Sequence, residues 1–221
     1  MERVLTKVFG ACCDQDDSPQ RGRPRCNERN KSILQAATTL FMERGFGGTS
    51  MDAVAKEAGV SKQTVYSHFA AKENLFSAAI THKIEDYFPL GDFDTKGDAS
   101  LEEELTLVAT QYSNLLMSED SMAVFRLLVS EAPKGSQLAE IFWEAGPEVM
   151  LRRLIGFLSK WQKKGELNID NMEKAASFMV HQLKGHLHFE LSIGLIDKVS
   201  DEELRDSVKD SVSTFLKIYQ A

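Results

Sequence analysis

Apolar residues between positions 51 and 69 recur at helical spacing in two short segments separated by a glycine. Ser50 precedes the first segment and Ser61 the second, where a serine can cap a helix by accepting a hydrogen bond from a first-turn N–H. Gly59 lies where the first helix must end, since a terminating residue with positive φ is most often glycine. The pattern predicts helices at about 51–58 and 62–69, joined by a tight turn. Their predicted inward-facing residues are Met51, Val54, Ala55, Ala58, Val65 and Phe69.

Two longer helices flank this pair. An apolar stripe predicts a helix from about Asn30 to Arg44, ended by Gly45. Another predicts a helix at 72–88, whose start lacks a capping side chain because Ala71 stands there. This helix is longer than the three-helix unit can cover, so we expect it to connect that unit to the rest of the chain. The expected core of the unit is Leu40, Phe41, Phe46, Val54, Ala58, Val65 and Phe69.

Helical periodicity continues to the C-terminus, and no strand pattern interrupts it. The chain is therefore predicted to be all-α, with three parts: a disordered basic arm without regular structure (1–28), a helix-turn-helix domain (29–76) and a larger helical domain (77–221). The helices expected in the larger domain lie near 101–117, 120–132, 136–145, 147–164, 171–194 and 201–219.

The distribution of charge changes the interpretation of an acidic chain. The net charge of −7 argues at first against nucleic acid, but residues 21–83 carry ten basic and five acidic side chains, a balance of +5. Residues 84–221 carry fourteen basic and twenty-four acidic ones, a balance of −10. A basic N-terminal module on an acidic body is expected of a protein that presents one face to phosphates. Arg23 and Arg25 make the N-terminal segment a candidate DNA-contacting arm, although a solubilising tail is the open alternative.

The cysteines and the hydropathy of the chain indicate its cellular compartment. The three cysteines, Cys12, Cys13 and Cys26, are odd in number and two are adjacent, which argues against a disulfide framework and favours the cytoplasm. These thiols can either sense redox conditions or have no function, and both alternatives stay open. No apolar run reaches the eighteen residues of a membrane span, so no membrane partner is predicted.

The segment TSMDAVAKEAGVSKQTVYSHFAAKENLF at 49–76, preceded by ILQAATTLFMERGF at 33–46, closely resembles the DNA-binding domain of TetR/AcrR-family transcriptional regulators. The second half is similar to the AefR-like C-terminal domains of that family, in FRLLVSEAPK at 125–134, FWEAGPEVMLRRLIGFL at 142–158 and GEL at 165–167. Ala71 departs from the family, which often has a capping residue there. The resemblance implies a homodimeric, ligand-responsive repressor that binds a palindromic operator. Its body would bind an unidentified small effector and dimerise through its last two long helices.

The resemblance makes the second helix of the motif the DNA-reading helix, although a solvated surface is the ordinary alternative for such polar residues. Gln63 can pair bidentately with adenine, and Lys62 can reach guanine or phosphate. Lys72 resembles the phosphate-contacting lysine of the family. The full set of predicted DNA contacts is Arg23, Arg25, Thr49, Ser50, Ser61, Lys62, Gln63, Thr64, Tyr66, Ser67, His68 and Lys72.

The helical body is expected to hold an apolar ligand pocket with a few polar contacts, although each candidate can equally be core or surface. The candidates are Tyr112, Phe125, Arg126, Phe142, Trp143, Met150, Phe178, His181 and Gln182. The last two long helices carry apolar residues on more than one face, which predicts a second partner. The expected dimer contacts are Leu183, Leu187, Leu191, Leu204, Val208, Val212 and Phe215.

Two other classes of function are alternatives to a transcriptional regulator. No nucleophile–base motif or phosphate loop is present, so neither an enzyme nor a cofactor is predicted. A metal site is disfavoured because His181 and His188 are about 10.5 Å apart along one helix, and His186 faces elsewhere. A DNA-binding architectural protein without a small effector remains the alternative, and a body without a cavity would distinguish it.

Overall fold

The computed structural model of the chain describes residues 23–88, 99–134 and 137–221, with the side chains of 23–27 and 134 left aside. Within these ranges the chain is helical, and its β-structure is limited to an isolated bridge between Leu167 and Gln220. The predicted all-α class is confirmed. Among the described helices, none combines the length and apolar character that crossing a membrane requires.

The N-terminal part contains the predicted helix pair and its two flanking helices. Ser50 Oγ accepts from the Ala53 N–H and Ser61 Oγ from the Thr64 N–H, each at 3.1 Å, which confirms both predicted caps. Gly59 has a φ of 65°, a left-handed conformation that a Cβ would strain. The helices are α1 (Arg23–Gly48), α2 (Met51–Glu57), α3 (Lys62–His68) and α4 (Lys72–Tyr87).

The first helix differs from its prediction at both ends. α1 begins at Arg23 rather than near Asn30, so the prediction of irregular structure is wrong for residues 23–28. Residues 1–22 lie outside the described residues. The backbone leaves helical geometry at Gly45, as predicted, and a final helical turn then continues to Gly48.

The body consists of six further helices close to their predicted positions. Ser100 and Ser200 each form a capping box with the glutamate three residues on, which gives α5 and α10 defined starts. The helices are α5 (Leu101–Met117), α6 (Glu119–Glu131), α7 (Leu138–Ala145), α8 (Pro147–Lys163), α9 (Met172–Ile193) and α10 (Asp201–Tyr219), with a short 3₁₀ turn at Ala132–Lys134.

A kink divides α9, and the hydrophobic periodicity did not predict it. Gly185 has φ 50° and ψ −158°, a conformation essentially restricted to glycine. The helix therefore changes direction between Lys184 and His186. This kink lies in the part of α9 that borders the cavity described below.

Two hydrophobic cores hold the molecule together, and one of them joins its two parts. The larger core lies in the body among α5, α8, α9 and α10. The smaller one contains five of the seven residues predicted for the three-helix unit, with the half-buried Phe46 and Ala58 packed against it. It also contains Val124 of α6 and Leu138 of α7. The body thus packs directly against α1 and α4 of the N-terminal unit.

Candidate functional site

The exposed face of α3 presents the polar side chains that the sequence predicted. Val65 and Phe69 are buried, which turns the opposite side of the helix outward. Thr64 and His68 are half-buried at the edges of this face. The exposed residues of the face are Lys62, Gln63, Tyr66 and Ser67.

One ion pair crosses from this face to α2. The Lys62 ammonium lies 2.8 Å from the Asp52 carboxylate, and the two side chains are 61% and 60% exposed. The hydrogen bond to Asp52 raises the pKa of Lys62, so the ammonium stays charged. An exposed pair of this kind contributes at most about 1 kcal/mol, and a phosphate can therefore displace the carboxylate.

Thr49 does not belong to the exposed face. Its side chain is 2% exposed, and its hydroxyl contacts the carbonyl oxygens of Leu40 and Gly45, each at 2.9 Å. The hydroxyl has no proton left for DNA, because its only one is already used to close the connection between α1 and α2. The predicted phosphate contact at Thr49, through backbone N–H groups at the helix start, stays a prediction. A hydroxyl ahead of a capped helix looks the same in sequence whether it points outward or inward.

Lys72 also has a structural role. Its ammonium donates to the carbonyl oxygens of Phe46 (2.7 Å) and Thr49 (3.1 Å) and lies 4.2 Å from the centre of the Phe46 ring. It therefore binds the start of α4 to the α1–α2 connection. One of its three N–H donors remains for a phosphate, so the predicted DNA contact stays a prediction.

The remaining predicted DNA contacts lie at helix starts or in the N-terminal part of α1. Ser50 and Ser61 are exposed caps, and the first turns of α2 and α3 leave backbone N–H groups free near them. Arg23 and Arg25 begin α1, but their side chains lie outside the described residues.

A cavity of about 440 Å³ lies between the N-terminal unit and the body. Its walls come from α1 and α4 as well as from α5 to α9, and they are mainly apolar. Residues from α1, including Phe41 and Met42, form part of the wall. Six of the nine predicted pocket residues line it, namely Tyr112, Phe125, Phe142, Trp143, Met150 and His181.

The other three predicted pocket residues lie elsewhere. The exposed Arg126 guanidinium donates to the carbonyl oxygens of Leu191 and Ser192 at the end of α9. The Phe178 ring packs edge-on against Tyr219 at 6.4 Å, and Gln182 is half-buried away from the cavity. These three predictions are wrong because helical spacing alone does not specify which side of α6 or α9 meets the cavity.

The cavity also contains charged groups that the sequence analysis missed. Lys83 forms an ion pair with Asp120, which joins α4 to α6 at the cavity wall. Lys184 and His188 line the cavity from α9, on either side of the kink. Burial lowers the pKa of Lys184, and burial together with the Lys184 charge lowers that of His188.

Family comparisons agree with both parts of this architecture. Residues 33–79 match the model of the bacterial regulatory proteins of the tetR family. Residues 103–221 match the C-terminal domain of AefR-like transcriptional repressors. The chain belongs to the TetR family of transcriptional regulators. Its N-terminal unit is accordingly a DNA-binding domain, and the helix-turn-helix prediction is confirmed.

Individual TetR-family relatives align over most of the chain. The regulator YdeS of Bacillus subtilis strain 168 is 28% identical over 87% of this chain and 92% of its own length. A putative TetR-family regulator from Mesorhizobium loti MAFF303099 has 30% identity, a TM-score of 0.75, and coverage of 89% of this chain and 99% of its own. The flavonoid-responsive regulator FrrA has 33% identity, a TM-score of 0.68, and coverage of 88% and 98%.

TetR-family regulators dimerise, but the residues predicted for dimer contact lie mostly inside a single chain. Six of them are buried in the body: Leu183, Leu187, Leu191, Val208, Val212 and Phe215. The prediction is wrong for these six, because α9 and α10 bury those faces against their own body, and Leu204 is half-buried. The exposed apolar side chains near the end of α9 are instead Phe189 (63%), Ile193 (59%) and Leu195 (67%).

The histidines of α9 do not assemble a metal site. Across residues 23–88, 99–134 and 137–221, no group of three or more His, Cys, Asp or Glu side chains is placed to hold a metal ion. His181 instead directs Nδ1 to the Ser177 carbonyl oxygen at 2.6 Å, and the His188 ring packs edge-on against Phe125 at 5.3 Å.

Proposed function

We propose that this TetR-family regulator is a homodimeric cytoplasmic repressor that a small molecule releases from a palindromic operator. The observation that carries the proposal is the position of the cavity. Its wall includes α1 and α4 of the DNA-binding unit together with α5 to α9 of the body. A ligand in this space contacts both parts at once, which couples its binding to their relative position.

The proposed mechanism is a shift between two arrangements of the dimer. Phe76, Ala79 and Ile80 of α4 line the cavity, while the start of the same helix is bound through Lys72 to the α1–α2 connection. A ligand that prefers one position of α4 therefore favours one spacing between the two DNA-binding units. Operator affinity falls only by the difference between the ligand's affinities for the two arrangements.

The chemistry of the cavity favours a mainly apolar effector. Its volume of about 440 Å³ is within the ~300–1,000 Å³ range typical of small-molecule sites. The relative FrrA is named for its response to flavonoids, which supports an aromatic ligand for this chain. A cavity of this size favours the ligand-responsive function over an architectural protein without an effector.

For DNA recognition, we assign base contacts to the exposed α3 face and phosphate contacts to its surroundings. Gln63 has two hydrogen-bonding groups suited to adenine, and Lys62 can reach guanine after leaving Asp52. The remaining assigned contacts are Ser67 on the α3 face, with Thr64, Tyr66 and His68 for phosphate or thymine methyl groups, and Ser50, Ser61, Lys72, Arg23 and Arg25 for phosphates.

Selection of bound sequences from random DNA tests the DNA-reading assignment. We expect a palindrome with half-sites about one helical turn apart, and Gln63→Ala should lower the preference for it by about 1–3 kcal/mol. Gln35→Ala is the matched control, since it removes the same exposed amide from α1. Equal loss of preference in both variants would contradict the assignment.

Release of operator DNA tests the effector hypothesis. Flavonoids and other planar aromatic molecules should release DNA from the wild-type protein at lower concentration than from Val180→Phe, which adds volume inside the cavity. Thermal unfolding and operator affinity without ligand establish that the variant is folded. If active molecules release both proteins equally, the cavity is not the effector site, and if none releases either, the effector is not a planar aromatic molecule.

We place the dimer contact at the exposed end of α9. Phe189 and Ile193 are four residues apart and thus on one helix face, with Leu195 just beyond the helix end. Large apolar side chains exposed together at one helix end are characteristic of protein interfaces. Phe189→Glu should shift sedimentation from dimer to monomer, whereas Val129→Glu, an equally exposed site on α6, should not. A dimer that survives Phe189→Glu unchanged would refute this placement.

A further inference from the structure

One charged group in the cavity wall lacks a partner. Lys184 is half-buried on α9, and its ammonium makes no hydrogen bond or ion pair with any residue in the described ranges. An ammonium withdrawn from water without a counter-charge destabilises the fold. The Lys184 ammonium therefore lowers the stability of the fold, in a cavity wall that is otherwise mainly apolar.

The other titratable groups of the wall do not neutralise it. Asp120 supplies the cavity's carboxylate, and it is already paired with Lys83. The contact between His181 Nδ1 and the Ser177 carbonyl oxygen requires a proton on Nδ1, so this nitrogen donates away from Lys184. The lowered pKa of His188 keeps its ring uncharged near neutral pH. The described lining thus leaves one uncompensated positive charge, at Lys184.

Two further donors line the same space. Tyr112 is buried, and its hydroxyl makes no hydrogen bond to a described residue. A neutral His188 ring carries one N–H in either tautomer, and it is close enough to Lys184 for the ammonium charge to lower its pKa. The cavity wall therefore offers the unpaired ammonium of Lys184 and two further groups that can each donate a hydrogen bond.

We infer that the effector of this regulator is an amphipathic carboxylic acid whose carboxylate pairs with Lys184 while its apolar portion fills the cavity. A carboxylate presents two oxygens and a negative charge, which suits the unpaired ammonium of Lys184 and the donors that line the same cavity. The apolar portion contacts the walls contributed by α1 and α4. The inference rests on the proposed function and names the chemical class of its effector.

Matched pairs of probes that differ only in charge test this inference. Dodecanoate and dodecanamide form one pair, and biphenyl-4-carboxylate and biphenyl-4-carboxamide form the other. Each is titrated into the full-length protein, with fluorescence of Trp143 in the cavity wall as the signal. We expect at least one acid to bind about tenfold or more tightly than its amide, the factor that about 1.4 kcal/mol represents.

Substitutions on α9 locate the source of this preference. Lys184→Met, which keeps the length of the side chain, should abolish the preference for the acid while leaving the amide affinity within about twofold. Lys184→Arg should retain the preference. Lys174→Met removes the same charge from an exposed position on the same helix and should change neither affinity. Thermal unfolding establishes that each variant is folded.

Three outcomes would overturn the inference: equal binding of acid and amide to the wild type, equal effects of Lys184→Met and Lys174→Met, or binding of no probe. Operator release distinguishes this failure from failure of the proposed function. If amides release operator DNA as well as the acids do, the ligand-responsive repressor stands and the acidic class is wrong. If flavonoids and all four probes leave the operator complex intact, the proposed function fails as well.

Discussion

The backbone conformation at the Gly185 kink determines whether a substitution there raises or lowers the stability of the protein. We expect Gly185→Ala to destabilise the protein, because φ 50° and ψ −158° are strained for any residue with a Cβ. No neighbouring atom lies within 4 Å of the added Cβ, so crowding contributes nothing. The backbone conformation alone should cost about 1–3 kcal/mol.

This cost should appear as a lower melting temperature. In a protein of about 150–250 residues, 1 kcal/mol corresponds to roughly 2–4 °C, so the expected decrease is about 2–12 °C. Gly156→Ala is the matched control, because Gly156 is exposed within the regular helix α8 and also has no atom within 4 Å of an added Cβ. Alanine there should instead raise stability by about 0.5–1 kcal/mol.

Differential scanning calorimetry at one protein concentration compares the two variants, since dimerisation makes the melting temperature depend on concentration. The expected result is a change of opposite sign in the two. If Gly185→Ala raises the melting temperature as Gly156→Ala does, α9 can straighten freely and the body does not require the kink. The position of Lys184 and His188 in the cavity would then need another explanation.

Three further changes test separate contacts. Asp52→Asn should tighten binding to all DNA sequences severalfold, or roughly 0.5–1 kcal/mol in titrations at low salt. The reason is that it frees Lys62 and removes a negative charge beside the exposed α3 face. Unchanged affinity would show that Asp52 lies away from the phosphates. Thr49→Val should lower the free energy of unfolding by about 1–3 kcal/mol without changing operator affinity, since the lost hydroxyl serves only internal carbonyls. Weaker DNA binding by a fully folded variant would show that the hydroxyl also takes part in the DNA contact. Burial raises the pKa of Tyr112 to about 12, above its unfolded value of about 10. Its neutral hydroxyl therefore contributes fully to stability below about pH 10, and this contribution is lost as the pH rises to about 12. In denaturant titrations, Tyr112→Phe should lack this alkaline loss of roughly 3 kcal/mol, and an identical decrease in both proteins would assign it to other groups.

Much of the fold was predictable because its signals are local. Ser50, Ser61 and Gly59 mark helix ends through hydrogen bonds and dihedral angles that involve only neighbouring residues, and the structure confirms each. The outward face of α3 followed from Val65 and Phe69 for the same reason, since a short helix with one apolar side has only one way to pack.

Contacts between distant segments were not predictable in this way. Thr49 looked exposed beside a helix start, yet its hydroxyl closes onto Leu40 and Gly45, and only the folded connection brings those carbonyls together. Lys72 shows the same limit, because its partners Phe46 and Thr49 come from a connection more than twenty residues earlier in the chain.

The sequence by itself determined the helices, their order and the surface offered to DNA, because these depend on periodicity and on caps a few residues away. Only the tertiary structure decided which face of a two-sided helix is buried: α9 directs Leu183 into its own body and exposes Phe189. Only the packing of α6 and α7 against α1 and α4 creates a cavity common to both parts. That Lys184 has no charged partner among the described residues likewise emerges only there, since solvation and charge pairing depend on every helix around a side chain.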